Sequence, residues 1–209
     1  MGCAVATPEQ DCGDASVSNA RPYCELSPEA QARAREVWRE KGWTWDEWDS
    51  KQLTDLFKDE LAETYGIEDA DVEWDLSCCQ GDHVSFKARP DIDKLVEHDD
   101  RLAKLWQAVQ ALHAAALGEL DASCYVKIEN GSVLVECGID IGPNYDCRVL
   151  HQLELLIEKE VLETYHDACS ELKRMGYAEI EYHNSDEVIA DTLEANEYRF
   201  DEDGAWENA

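Results

Sequence analysis

Hydrophobic residues recur at three- and four-residue steps through residues 149–175, which predicts one long amphipathic helix. The apolar face carries Leu150, Leu153, Ile157, Val161, Tyr165, Ala168 and Leu172. Gly176 follows this run, and we expect it to end the helix. Residues 178–182 are then expected to form a strand.

Start signals predict three further helices earlier in the chain. Ser27 before Pro28 is typical of an N-cap followed by the first helical turn. Thr44 and Glu47 have the spacing of a capping box. The predicted helices cover residues 27–42, 44–66 and 90–118.

The strongest turn signal is Asn130-Gly131, which favours a two-residue hairpin turn. Such a turn pairs residue 128 with 133, 126 with 135 and 124 with 137, and it places these side chains on one face of the ribbon. The long helix is the natural cover for this face. Residues 71–77 and 84–88 are expected to form another strand pair, joined by a turn at 78–82.

This order of elements indicates an α+β fold, in which an antiparallel sheet that includes the Asn130-Gly131 hairpin packs against several helices. We expect a flexible leader over residues 1–24, because this segment shows no hydrophobic periodicity. Residues 25–209 then form a single α+β domain with an acidic C-terminal tail. The start of the chain lacks the charged and apolar regions of a signal peptide, and no apolar run reaches the length of a membrane span.

The charge of the chain narrows the possible partners. It has 48 Asp and Glu against 18 Lys and Arg, a formal net charge of −30. This balance argues against direct nucleic-acid binding, because a phosphate backbone needs Lys and Arg. It favours a basic protein partner, and no membrane partner is expected because no apolar run is long enough to span one.

Three rows of carboxylates recur at helical spacing away from the apolar faces. A merely solvated face usually mixes in Lys or Arg, since neighbouring like charges cost about 0.2–0.5 kcal/mol per pair. Residues 44–75 carry 12 acids and 2 bases, and residues 179–207 carry 11 acids and 1 base. The rows are Asp55, Asp59 and Glu63; Glu160, Glu163, Asp167 and Glu171; and Glu187, Asp191 and Glu194. We expect the second row to be held rigidly outward by the helix that carries it.

Signals for catalysis are sparse. The chain has no phosphate-binding loop, no dinucleotide-binding fingerprint and no nucleophile elbow. His166 and Cys169 lack a second ligand pair for a metal, and Cys78 and Cys79 beside His83 are more typical of structural cysteines. We therefore expect no catalytic residue, no metal and no cofactor. The nine cysteines, an odd number without regular spacing, favour free thiols in a reducing cytosol, with residues 124 and 137 as two buried thiols.

Several short motifs in order resemble a family of small phage-encoded proteins that are often labelled antitoxin-like. Members open with a Leu-Ser-x-x-Ala helix, carry a Gln-Gly-Asp turn after a strand and end with Ala-Asn-Glu-Tyr-x-Phe. The matching segments here are 25–30, the Trp45/Trp48/Asp49 cluster, 80–82 followed by Phe86, 185–187 and 195–200. Cys78 and Cys79 before the turn and His83 after it depart from the family pattern. The resemblance implies a phage or prophage origin, a host-cell cytosolic location and a non-enzymatic, antagonistic role.

Together these features predict a stoichiometric inhibitor of a host defence or toxin protein, such as a CRISPR effector or a restriction nuclease. Its carboxylates would mimic nucleic acid and occupy a basic groove, so its binding should weaken as salt rises. Two alternatives remain open. One is a binder or enzyme that acts on a small molecule, such as a defence signalling nucleotide, at the turn formed by Gln80, Gly81, Asp82 and His83. The other is acidic adaptation to salt without mimicry. The target and the oligomeric state are not predicted.

Overall fold

The computed structural model describes residues 20–41, 47–76, 81–117, 122–129, 131–138 and 147–206. By packing, the chain divides into two compact units. The central unit comprises residues 44–183, and the terminal unit comprises residues 1–43 and 184–209. Because the terminal unit is built from two distant segments, the central unit is an insertion within it.

The central unit combines helices with two antiparallel strand pairs. Its helices are α2 (Glu47–Tyr65), α3 (Ile92–His98), α4 (Asp100–Leu117) and α5 (Cys147–His183). Its strands are β2 (Asp71–Asp75), β3 (His83–Lys87), β4 (Ser123–Glu129) and β5 (Ser132–Gly138). The predicted α+β class is confirmed, and every described strand pair is antiparallel.

The hairpin has the predicted register. Ile128 lies opposite Val133, Val126 opposite Val135 and Cys124 opposite Cys137. Ala88, just after β3, exchanges backbone hydrogen bonds with Ile128 at N···O distances of 3.1 and 2.9 Å. This bridge joins the two strand pairs edge to edge.

Helix α5 covers the apolar face of the hairpin, as expected. Its residues Ile157, Ala168 and Leu172 are fully buried in the same core as Val126 and Ile128. The carboxylate of Glu154 on α5 accepts a hydrogen bond from the Cys137 amide at 2.9 Å. The helix therefore contacts the hairpin through both apolar packing and a backbone hydrogen bond.

The expected end of this helix at Gly176 is wrong, and so is the strand expected at 178–182. Helix α5 continues without a break to His183 and has 37 residues. A Cβ atom at Gly176 would overlap the side chain of Leu76 and lie 3.0 Å from Cζ of Phe57. Glycine is therefore present because α5 approaches its neighbours closely here, and it does not act as a helix cap.

The third predicted helix is two helices, because Asp99 interrupts it. Asp99 has extended backbone angles, and its carboxylate accepts hydrogen bonds from the amides of Arg101 and Leu102 at 2.7 and 3.1 Å. An aspartate that bonds to its own downstream backbone in this way starts a new helix, α4. Gly66 ends α2 as predicted, with a φ angle of +66°.

The terminal unit forms around two helices, α1 (Pro28–Lys41) and α6 (Asp186–Ala195). Strand β1 (Arg21–Pro22) pairs antiparallel with β6 (Arg199–Phe200). A 3₁₀ turn, Tyr23–Glu25, links β1 to α1. The core of the terminal unit contains Tyr23, Leu26, Ala30, Ala34, Ile189, Leu193 and Phe200.

Residues predicted to lie in the leader and in the acidic tail take part in the terminal unit. Arg21 and Pro22 form β1, and Tyr23 is only 3% exposed, so the leader predicted over 1–24 extends too far into the fold. In the predicted acidic tail, the Asp201 amide donates to the Ala205 carbonyl at 3.0 Å, and Trp206 forms a bridge with Phe200. Among the described helices, none combines the length and the apolar character that crossing a membrane requires.

Candidate partner-binding surface

The first row of carboxylates lies on α2, on the side away from the core. Phe57 and Leu61 of the same helix are fully buried, which fixes the direction in which the acidic side points. Asp55, Asp59 and Glu63 are exposed. Asp55 pairs with Lys51 one turn earlier. Within the described part of the chain, no cationic side chain lies within 4.0 Å of the carboxylates of Asp59 and Glu63.

The second row, on α5, differs from the expectation of an outward row of uncompensated charge. The side chain of Glu160 is only 17% exposed, and Arg101 of α4 lies 3.6 Å from it and 3.7 Å from Glu163. Lys159 lies 3.2 Å from Glu163 as well. Cations from α4 and from α5 itself therefore neutralise the first half of this row.

Glu171, at the other end of the row, pairs with Arg174 at 2.9 Å. The hydrogen bond and the charge of Arg174 lower the pKa of Glu171 below its usual range. Asp167 is exposed, and it has no cation within 4.0 Å among the residues that the structure describes. The other three carboxylates of this row each have a cation within 4.0 Å.

Two acids of the α5 row, Asp167 and Glu171, lie near Tyr65 at the end of α2, together with Glu60 of α2. Burial raises the pKa of the Tyr65 phenol, and the nearby charges of Glu171, Glu60 and Asp167 raise it further. Thr64 and Tyr65 also line a shallow cavity together with Asp167. Glu60 of α2 thus lies near the acids of α5. We use the name α2–α5 acidic face for these residues together with the exposed α2 acids beside Glu60 (Asp59, Glu60, Glu63, Asp167 and Glu171).

The third row belongs to the terminal unit. Glu187, Asp191 and Glu194 are exposed on α6, and the described residues place no Lys, Arg or His within 4.0 Å of them. Ser185 caps α6 and accepts a hydrogen bond from the Val188 amide. Asp186, outside the predicted row, pairs with Arg39 and with Arg35.

Arg101, which lies beside Glu160 and Glu163 of the second row, is the cation that the sequence did not predict. The pairs of Asp55 with Lys51, Glu163 with Lys159 and Glu171 with Arg174 join residues three or four positions apart, so helical spacing alone could have found them. Arg101 reaches the row from a different helix. Only the packing of α4 against α5 places it there.

The structure describes three of the four residues predicted for a small-molecule site at residues 80–83. Gln80 lies outside the described residues, and Gly81 is exposed. The Asp82 carbonyl accepts a hydrogen bond from Lys173 at 3.2 Å. The His83 ring lies 2.8 Å from the Gly81 carbonyl. These polar groups of residues 81–83 therefore contact other groups of the same chain.

Two pairs of possible metal or redox side chains are described, Cys124 with Cys137 and His166 with Cys169. Cys124 and Cys137 are free thiols with their sulfur atoms 3.6 Å apart. Cys137 is buried as expected, whereas Cys124 is only partly buried. His166 is exposed and Cys169 is partly buried. In the described ranges no group of three or more His, Cys, Asp or Glu side chains has the arrangement of a metal site.

Comparisons with protein-family models, with curated proteins and with solved structures found no match to this chain. The resemblance to phage-encoded proteins therefore stays a prediction.

Proposed function

We propose that this protein is a stoichiometric inhibitor that binds a basic nucleic-acid-binding protein through the α2–α5 acidic face. The partner would be a host defence or toxin protein, such as a CRISPR effector or a nuclease. The inhibitor would occupy the groove that normally holds nucleic acid. This role needs no catalytic residue and no cofactor.

The observation that carries the proposal is that carboxylates with no cation within 4.0 Å among the described residues lie on two helices of one packed core. Asp59 and Glu63 on α2 and Asp167 on α5 are exposed, and both helices also carry fully buried side chains, such as Phe57 and Ala168. Their backbone positions are therefore fixed before a partner arrives. A preorganised row loses less conformational entropy on binding than a flexible acidic tail does.

The spacing of the carboxylates suits an Arg- and Lys-rich groove. Residues four apart on a helix are separated by about 6 Å along its axis, whereas phosphates on one DNA strand are separated by about 3.4 Å. One row therefore presents roughly one charge for every two phosphates. Attraction over this surface would speed encounter with a basic groove and would weaken as salt screens it.

Two triple variants remove the same number of charges but differ in whether the carboxylates are paired with cations. The first is Asp59→Asn, Glu63→Gln and Asp167→Asn, which removes carboxylates without described counterions. The second is Glu160→Gln, Glu163→Gln and Glu171→Gln, which removes carboxylates already paired with Arg101, Lys159 or Arg174. We expect the first triple to lose binding by at least about tenfold more than the second, because paired charges attract a partner less.

The measurement is inhibition of DNA cleavage by purified effectors, with a guide-loaded CRISPR nuclease and restriction nucleases as the panel. The wild-type protein is titrated against each enzyme at low and at high salt. Inhibition that saturates at a fixed molar ratio and weakens with salt is the expected result. Equal inhibition by the wild type and by the first triple variant would contradict the proposal.

A further inference from the structure

A cavity of about 650 Å³ lies at the end of β3 that is opposite the 80–83 turn. One wall is formed by the edge where Ala88 pairs with Ile128. The other wall is formed by Gly66 and by Lys94 of α3. A Cβ atom at Gly66 would lie 2.8 Å from the Lys94 carbonyl oxygen, so glycine allows α2 and α3 to approach closely here. The volume is within the range of about 300–1,000 Å³ that is typical of ligand sites.

The lining of this cavity is unlike the rest of the surface. Four of the chain's 18 Lys and Arg side chains line it, and they come from both walls: Lys87, Arg89, Lys94 and Lys127. Four acids line it as well, namely Glu68, Asp69, Asp91 and Glu129. The formal charge of the lining is therefore zero in a chain whose net charge is −30.

Arg89 is the cation best placed to receive an anion. Its side chain is exposed, and no carboxylate among the described residues lies within 4.0 Å of its guanidinium. By contrast, Lys94 pairs with Glu68 at 2.5 Å and Lys127 pairs with Glu129 at 2.5 Å. An unpaired guanidinium can bind two oxygens of one phosphate, and this contact is stronger than one made by a lysine ammonium.

The paired lysines remain accessible to a ligand. Exposed ion pairs of this kind contribute little to stability, so a phosphate can compete for Lys94 or Lys127. The carboxylates they release can accept hydrogen bonds from hydroxyl groups, as acidic residues do with ribose in dinucleotide sites. The cavity also has apolar surface for a flat ring, which Ala88, Pro90 and Ile128 and the aliphatic parts of the lysine and arginine side chains provide together.

From this arrangement we propose that the cavity binds a nucleoside phosphate. The phosphate contacts Arg89 and Lys94, the sugar hydroxyls contact the neighbouring carboxylates, and the base packs on the apolar surface. This site is distinct from the α2–α5 acidic face, and it does not depend on the inhibitory role proposed above. It also lies about 13–17 Å, the length of a five-residue strand, from the turn at which a small-molecule site was expected.

The test is isothermal titration calorimetry of the full chain with ADP at low ionic strength, with adenosine and inorganic phosphate as separate ligands. We expect ADP to bind at one site, and each of the two fragments to bind at least about tenfold more weakly. Arg89→Gln and Lys94→Gln should each weaken ADP binding by about tenfold or more, because each removes a charged hydrogen bond. Lys104→Gln removes the same charge from an exposed position on α4 outside the cavity, and it should leave the affinity unchanged.

Several results would overturn the proposal. They are the absence of saturable binding of millimolar ADP, an affinity of Arg89→Gln equal to that of the wild type, or phosphate binding as tight as ADP binding. Amide NMR shifts of the wild-type protein give a check that does not depend on variants. Shifts induced by ADP at residues 88–91 and 127–129 support the site, and shifts confined to other regions contradict it.

Discussion

Tyr165 shows how burial alters the chemistry of a single residue. Its ring packs against Phe86 with the ring centroids 4.8 Å apart, and the residue is only 5% exposed. Burial, together with the hydrogen bond to Cys169, raises the pKa of the Tyr165 phenol to about 12. The neutral phenol is thus the form that the fold favours.

This shift predicts a loss of stability at alkaline pH. The unfolded phenol ionises near pH 10.0, whereas the folded phenol stays protonated up to about 12. The contribution is fully present below pH 10.0 and is lost as pH rises through about 12. It should amount to roughly 1–2 kcal/mol.

Replacing Tyr165 by Phe should remove this part of the pH dependence. Urea unfolding of the wild type and of Tyr165→Phe, followed from neutral pH to pH 12, measures the difference. Tyr182→Phe is the matched control, because Tyr182 is 59% exposed. Identical slopes for the wild type and Tyr165→Phe above pH 10 would show that the buried phenol does not contribute.

Among single residues, the sequence predicts buried positions better than charge pairs. The apolar stripe of α5 is buried at every position except the half-buried Leu153, because periodicity alone defines a core-facing side. Arg101, by contrast, lies about sixty residues from Glu160 in the chain. Pairs of this kind depend on which helices pack together, and no local pattern encodes that.

At the scale of elements, the hairpin and α5 show where local signals suffice and where they do not. The Asn130-Gly131 turn leaves few registers for the flanking strands, and the predicted pairs are the observed ones. Gly176 is a stop signal in sequence, yet α5 continues through it. The tertiary contact with Leu76 explains the glycine, and a tertiary contact cannot be read from neighbouring residues.

Gly176→Ala tests this explanation. In an exposed helix, replacing glycine by alanine stabilises by about 1 kcal/mol. Here the new methyl group would overlap Leu76 and lie close to Phe57. We therefore expect a net destabilisation of about 1–3 kcal/mol, measured by chemical denaturation.

A second substitution tests whether overlap with Leu76 causes the destabilisation by Gly176→Ala. Leu76→Ala in the Gly176→Ala background should recover part of the loss, because it removes the atoms that overlap. Ala178→Gly, at an exposed position two residues further along α5, gives the ordinary cost of glycine in this helix. A stabilised Gly176→Ala protein would show that the close approach does not constrain this position.

For the whole molecule, the main question is what the charge of −30 does to stability. Each unit has its own buried core, and cations of α4 and α5 pair with part of the acidic row. These features favour a chain that folds without high salt. The composition alone could not separate mimicry from salt adaptation, because it does not show how the charges are paired.

A thermal melt in dilute buffer distinguishes nucleic-acid mimicry from adaptation to salt. We expect the protein to stay folded at room temperature at about 10 mM ionic strength, where the Debye length is about 30 Å and repulsion is strongest. Its Tm should be only a few degrees below the value at physiological salt, since 1 kcal/mol changes Tm by about 2–4 °C in a chain of this size. Unfolding at room temperature that added salt reverses would favour salt adaptation instead.

The insertion of one unit within the other has a consequence for the order in which the chain folds during synthesis. Helix α1 is made early, but its partners Ile189, Leu193 and Phe200 are made about 150 residues later. At about 5–20 residues per second, this gap lasts roughly 8–30 seconds. The central unit is complete before that time has passed. Helix α1 must therefore leave the ribosome before Ile189, Leu193 and Phe200 are made, and until then it stays accessible to chaperones and proteases.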